Sequence, residues 1–163
     1  MKTWDKFTLR TPINATPQTV YNAWASRLEL EKWFLRMAEF TRNTQIIDGP
    51  TQITKGDTYR WRWHGYPDEV TETGTILEAN GKDLIKFVFG ECGIVTAKIT
   101  VEKGLSILEV KQENIPTDEE SRFNYHVGCT TGWTFYMTNL KSLLEGGIDL
   151  RNKDMEITNV LNA

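Results

Sequence analysis

Between Thr58 and Asn114 the apolar residues fall on every second position in run after run, and from about Thr117 to Glu145 they fall on every third or fourth. This change of period constrains the fold most, because period two buries one face of a strand and the longer period buries one stripe of a helix. Thr58 to His64 puts Tyr59, Trp61 and Trp63 on one face and Arg60, Arg62 and His64 on the other, so His64 reads as a solvated surface side chain. Glu69 to Ala79 follows the Gly65-Tyr66-Pro67-Asp68 turn, and Leu84 to Phe89, with Ile85, Phe87 and Phe89 aligned, follows Asn80-Gly81-Lys82-Asp83. Ile94 to Glu102 aligns Val95, Ala97, Ile99 and Val101, and Leu105 to Asn114 aligns Leu108 and Val110 after Lys103-Gly104. Strands separated by such turn residues predict an antiparallel meander.

Before the meander, Lys6 to Ile13 alternates as one more strand, which Pro12 ends or confines to an edge. Thr16 is placed as an N-cap with Pro17 at the first helical position, and Val20, Tyr21, Trp24 and Leu28 follow at helical spacing. A second short helix is predicted over Leu28 to Phe34, and an apolar loop from Met37 to Phe40. After the meander, Thr117-Asp118-Glu119-Glu120 resembles a capping box and Gly146-Gly147 supplies a stop. Between them Cys129, Trp133, Tyr136, Met137, Leu140, Leu143 and Leu144 form one stripe. Gly128 and Gly132 weaken helix propensity, which leaves the start anywhere between Thr117 and His126. Sheet and helix each need their apolar face covered. The economical arrangement is α+β: a curved antiparallel sheet wraps the long C-terminal helix, and the two early helices close one end. A single domain over residues 1–163 is expected, with a core of about 6–147 and a short polar tail.

Several segments resemble a known family. Gly132-Trp133, Leu140-Lys141, Leu144-Glu145-Gly146-Gly147 and Asp149-Leu150-Arg151 are similar to the C-terminal signature of the activator of heat-shock protein 90 ATPase homologue-like family. Ile13 to Trp24 resembles its opening segment, and Gly74-Thr75-Ile76-Leu77-Glu78 its third strand. The family lies within the START-like, polyketide-cyclase-like (SRPBCC) superfamily. The resemblance therefore implies a helix-grip fold with a hydrophobic pocket under the long helix. It assigns no reaction. The eukaryotic co-chaperones that name the family carry an additional N-terminal domain, for which 163 residues are expected to leave no room.

Composition limits the partners. The net charge is −3, so no excess of positive charge exists to neutralise phosphates and nucleic acid is an unexpected partner. No run of about 18 apolar residues exists to span a membrane. Met1 to Lys6 lacks the apolar stretch of a secretory signal, which predicts a cytoplasmic protein with Cys92 and Cys129 reduced. No HExxH, CxxC, phosphate loop, GxSxG or dinucleotide fingerprint is present, and neither metal nor cofactor is expected.

Six Trp, seven Phe and five Tyr make up 11% of the chain and supply the candidate site. The early helices and the segment after them contribute Trp24, Trp33, Phe34, Met37 and Phe40; the strands contribute Tyr59, Trp61, Trp63, Phe87 and Phe89. The last helix contributes Trp133 and Met137, with Cys129 on the same stripe and His126 near the pocket mouth. Gln112 has the inward parity of Leu108 and Val110, so either the protein satisfies it or water or ligand does. Glu72 shares parity with Val70 and Ile76, but Thr71, Thr73, Thr75 and Leu77 form an equally good inward set. Burial of Glu72 would raise its pKa. Cys92 reads as a turn thiol.

Three functions fit these readings. The first is binding of a small hydrophobic or aromatic molecule between sheet and helix, without covalent chemistry. The second is a cyclase-like enzyme moving protons through Gln112, Glu72 or His126. The third is a protein-interaction role, either with a chaperone or as a homodimer whose face Trp4 or Tyr66 would mark.

Overall fold

The computed structural model describes residues 3–157 and 160. Its sheet is built from β1 (Lys6–Ile13), β2 (Met37–Arg42), β3 (Gln45–Ile46), β4 (Thr58–Arg62), β5 (Glu72–Ala79), β6 (Leu84–Val88), β7 (Ile94–Glu102) and β8 (Leu105–Glu113). These form one eight-stranded antiparallel sheet in the order β1-β8-β7-β6-β5-β4-β2-β3. β1 lies at an edge, where Pro12 removes no needed donor. Alternation is clearest in β4, where Tyr59 and Trp61 are buried between exposed Thr58 and Arg60, and in β7, where Val95, Ala97 and Ile99 point inward. Val101 continues that parity but runs past the core and is 60% exposed.

The helices α1 (Pro17–Asn22) and α2 (Arg27–Trp33) start as their caps dictate. The Thr16 and Ser26 hydroxyls accept from the amides of Thr19 and Glu29. The long C-terminal helical stretch comprises α3 (Glu119–Ser121), six π-helical residues (Arg122–Val127) and α4 (Gly128–Leu144). Its N-cap is Asp118, which accepts from the Ser121 amide at 3.0 Å, so the cap lies one residue beyond the predicted Thr117. Gly146 at φ 83° ends the stretch as a Schellman turn, with the Gly147 amide on the Ser142 carbonyl at 2.7 Å.

Three strand predictions require correction. Met37 to Phe40 is not a loop: it forms β2, paired with β4 from Met37–Arg62 to Thr41–Thr58. Ala38 and Phe40 are buried while Met37 and Glu39 are half-buried, an alternation too short to stand out against its apolar surroundings. The strand predicted from Glu69 starts at Glu72, and the one predicted to His64 ends at Arg62. Gly65 at φ 77° and the bond from the Thr71 hydroxyl to the Asp68 carbonyl turn the intervening chain.

One cluster of buried side chains joins the inner sheet face to α1, α2 and α4. The segment from Gly147 to Arg151 packs back on the domain, and the exposed polar stretch starts only at Lys153. The Arg151 side chain is 0% exposed and donates to the carbonyls of Glu31, Lys32 and Leu35, where α2 ends. This assembly is an α+β helix-grip fold.

Candidate ligand pocket

The aromatic residues divide into a packed interior and the wall of an open cavity. Met137 and the rings of Trp24, Trp33, Phe40, Tyr59, Trp61 and Phe87 are all buried. Tyr59 stacks on Trp61 at 3.8 Å, and Trp24 meets Trp33 at 4.8 Å. Trp33 donates its indole N–H to the Ala23 carbonyl, whereas the buried indole nitrogens of Trp24 and Trp61 have no partner among the described residues. The interior under α4 is thus filled by side chains over much of its length, and these seven predicted pocket residues do not line the cavity.

The cavity lies toward the start of α4 and has a volume of about 420 Å³. Its wall includes four rings in a closed circuit: Phe34 to Trp63 at 5.7 Å, Trp63 to Phe89 at 6.2 Å, Phe89 to Trp133 at 5.8 Å, and Trp133 back to Phe34 at 5.0 Å. Tyr136 meets Phe34 edge-on at 5.0 Å. Glu72, Cys92 and Cys129 complete the inner lining, while exposed Tyr66, Val70 and Asn124 mark the mouth. From the π-helical residues, Tyr125 reaches across to donate its hydroxyl to Glu91 at 3.0 Å.

Gly128 and Gly132 give this wall its depth. They sit one turn apart on α4, and both line the cavity. A Cβ at Gly132 would meet nothing within 4 Å, so packing does not demand a glycine there. Each glycine in a helix costs up to about 1 kcal/mol relative to alanine.

Gln112 is fully buried behind Trp133. Its Oε1 accepts from the Trp133 indole N–H at 2.9 Å, and its Nε2 donates to the Cys92 carbonyl at 2.8 Å. The protein itself therefore satisfies it. Cys92 and Cys129, distant in sequence, are neighbours in the cavity wall. The Cys129 thiol beside it and burial push Cys92 up, while the neighbouring Cys92 thiol holds Cys129 below the usual thiol range.

Glu72 takes the inward parity, on the side of buried Ile76, while Thr73 faces out. Its Oε1 accepts from the Thr73 amide at 2.9 Å. The carboxylate lies against Gly90, where a Cβ would overlap it. Burial pushes the Glu72 carboxyl up, the Thr73 amide partly opposes this, and the Glu91 charge adds to the rise.

His126 is absent from the cavity wall. Its Nδ1 lies 2.9 Å from the Trp4 carbonyl, and its ring meets Trp4 and Phe7 edge-on. The π-helical residues change the angular step along the chain, so the phase inferred from α4 fails before Gly128 and Tyr125 takes the place foreseen for His126. Met37 is half-buried on β2 and also lies off the wall. His64 is half-buried rather than solvated, and burial lowers its pKa. Of the predicted residues, Phe34, Trp63, Phe89, Cys129 and Trp133 line the cavity. The sequence reading does not single out Tyr66, Asn124, Tyr125 or Tyr136 for the site; the glycine pair spaced by four in an otherwise good helix is the signal that points to this wall. Among the described residues, no group of three or more His, Cys, Asp or Glu is placed to hold a metal ion. None of the described helices is long and apolar enough to cross a membrane.

Fold and cavity together define a helix-grip domain with an aromatic-walled cavity beside its last helix. The sequence profile of the Activator of Hsp90 ATPase homolog 1-like family matches residues 14–145, and the chain belongs to that family. Solved structures share the fold at low identity. The Aha1 dimer from Colwellia psychrerythraea is 18% identical, with a TM-score of 0.64 over 87% of this chain and 97% of that one. SSP2350 from Staphylococcus saprophyticus is 16% identical, with a TM-score of 0.66 over 90% and 96%. DynU16, from the dynemicin biosynthetic locus, is 15% identical with a TM-score of 0.63; the match covers 86% of this chain and 47% of that one. No curated protein matches the chain.

Proposed function

We infer that the protein binds a small hydrophobic or aromatic molecule in the cavity beside the start of α4, without covalent chemistry. The observation that carries this reading is the Gly128 and Gly132 pair, which keeps one helical face bare beside a wall of aromatic rings. Ligand sites are typically apolar, largely preformed and of about 300–1,000 Å³, and this cavity falls in that range. Proton-transfer chemistry has less support. Both ends of the Gln112 amide are engaged within the protein, and His126 faces Trp4.

The test compares wild type with Gly132→Ala and Gly132→Leu. Thermal shift against a panel of apolar aromatic compounds is combined with mass spectrometry of ligand that co-purifies. Gly132→Ala should unfold later than wild type by up to about 1 kcal/mol, because only helix propensity changes. Gly132→Leu should remain folded and lose the ligand-induced shift. Retention of the shift in Gly132→Leu, or no compound shifting wild type at all, counts against the reading.

A further inference from the structure

The charges around the cavity are one-sided. Among the described residues its wall contains no Lys, Arg or His, while Glu72 lies within it and Glu91 adjoins it through Tyr125. Cations nearby are engaged elsewhere: Arg36 and Arg62, at the base of the loop that carries Tyr66, are both held by Asp68 at 2.6 and 2.8 Å. Glu72 bonds to its neighbour's amide and Glu91 to the Tyr125 hydroxyl, and among the described residues no cation pairs with either.

An unpaired carboxylate at the edge of an aromatic wall is costly, because burial removes water without supplying a counter-charge. A ligand can supply one. Aromatic faces carry negative potential and attract cations as well as apolar groups. An anionic ligand would instead face two carboxylates and a wall of negative ring faces.

We propose that the ligand is an organic amine, with its apolar body over the Phe34, Trp63, Phe89 and Trp133 rings and its protonated nitrogen at the Glu72 carboxylate. The proposal rests on the cavity being a ligand site, and it adds the ligand's charge. Gly90 belongs to the same design: the absence of a Cβ there makes room for the Glu72 carboxylate. Burial raises the Glu72 pKa, an effect that a bound ammonium would offset.

Isothermal titration with three probes of one shape tests this: 2-(1-naphthyl)ethylammonium, 2-(1-naphthyl)ethanol and 1-naphthylacetate. The ammonium is expected to bind about tenfold or more tightly than the alcohol, with the acetate weakest, since a hydrogen bond between charged groups is roughly twice as strong as one between neutral groups. In Glu72→Gln, checked for folding by circular dichroism, the ratio of ammonium to alcohol affinity should fall below about twofold. Alcohol binding with no ammonium preference in wild type, or a preference that persists in Glu72→Gln, overturns the amine and leaves the apolar pocket standing. Binding of none of the three overturns both.

Discussion

Gln112 has no exposure and divides its amide between the Trp133 indole and the Cys92 carbonyl, so one side chain fixes two parts of the cavity wall. Replacing it by leucine keeps the volume but leaves the buried Trp133 N–H without an acceptor, which costs about 1–3 kcal/mol. Gln112→Leu is expected to lower the unfolding free energy measured in urea by that amount and to alter the near-ultraviolet circular dichroism of the indole; a stability equal to wild type would mean that Trp133 is held by packing alone. Strand parity placed Gln112 inside. For Glu72 two parities were equal in the sequence, and the pairing of β5 against β6, with Ile76 opposite Phe87, chose between them.

Among the elements, α2 depends on a segment far from it in sequence. Its last carbonyls accept from Arg151, whose guanidinium also pairs with Asp149, and Asn139 on α4 donates to the Trp33 carbonyl at 2.8 Å. A cation at a helix C-terminus satisfies orphan carbonyls and complements the dipole there. Arg151→Ala removes one partner of a buried pair, and a loss of about 3–5 kcal/mol is expected in chemical denaturation. Hydrogen exchange should show the loss concentrated in Arg27–Trp33; a uniform loss, or none, would contradict the clamp. The Asp149-Leu150-Arg151 motif was visible in the sequence, but nothing local indicated that it would be buried against α2.

For the whole molecule, acid stability follows from two carboxylates. Asp57 is 1% exposed and accepts both arms of Arg42 at 2.8 Å. Burial alone would raise the pKa values of Asp57 and Asp149, but Arg42 together with the Thr54 amide and hydroxyl outweighs it at Asp57, and the Arg151 and Lys153 bonds outweigh it at Asp149. Both are held below the unfolded value of about 3.9, so their contribution is present above that pH and is lost as pH falls through the folded values. Glu72 is raised and acts oppositely, contributing below its unfolded value and losing that contribution as pH climbs through the folded one. The urea midpoint is expected to fall below about pH 4, as the two aspartates protonate. Asp57→Asn should flatten this acid limb; an unchanged limb would remove the Arg42 pair from the account.

The sequence by itself determined the order of the helices and of the strands other than β2 and β3, because apolar periodicity is a local property that selects the face each element buries. It also supplied the caps at Thr16 and Gly146, the edge position of Pro12 and the family resemblance. Tertiary structure alone decided which inward rings pack solid and which border open space, since parity gives the side of a strand but not the depth beneath it. It decided that Tyr125, not His126, belongs at the mouth, because the π-helical turn shifts a phase that periodicity assumes constant. It also brought Cys92 to Cys129 and Arg151 to α2, contacts that no local pattern encodes.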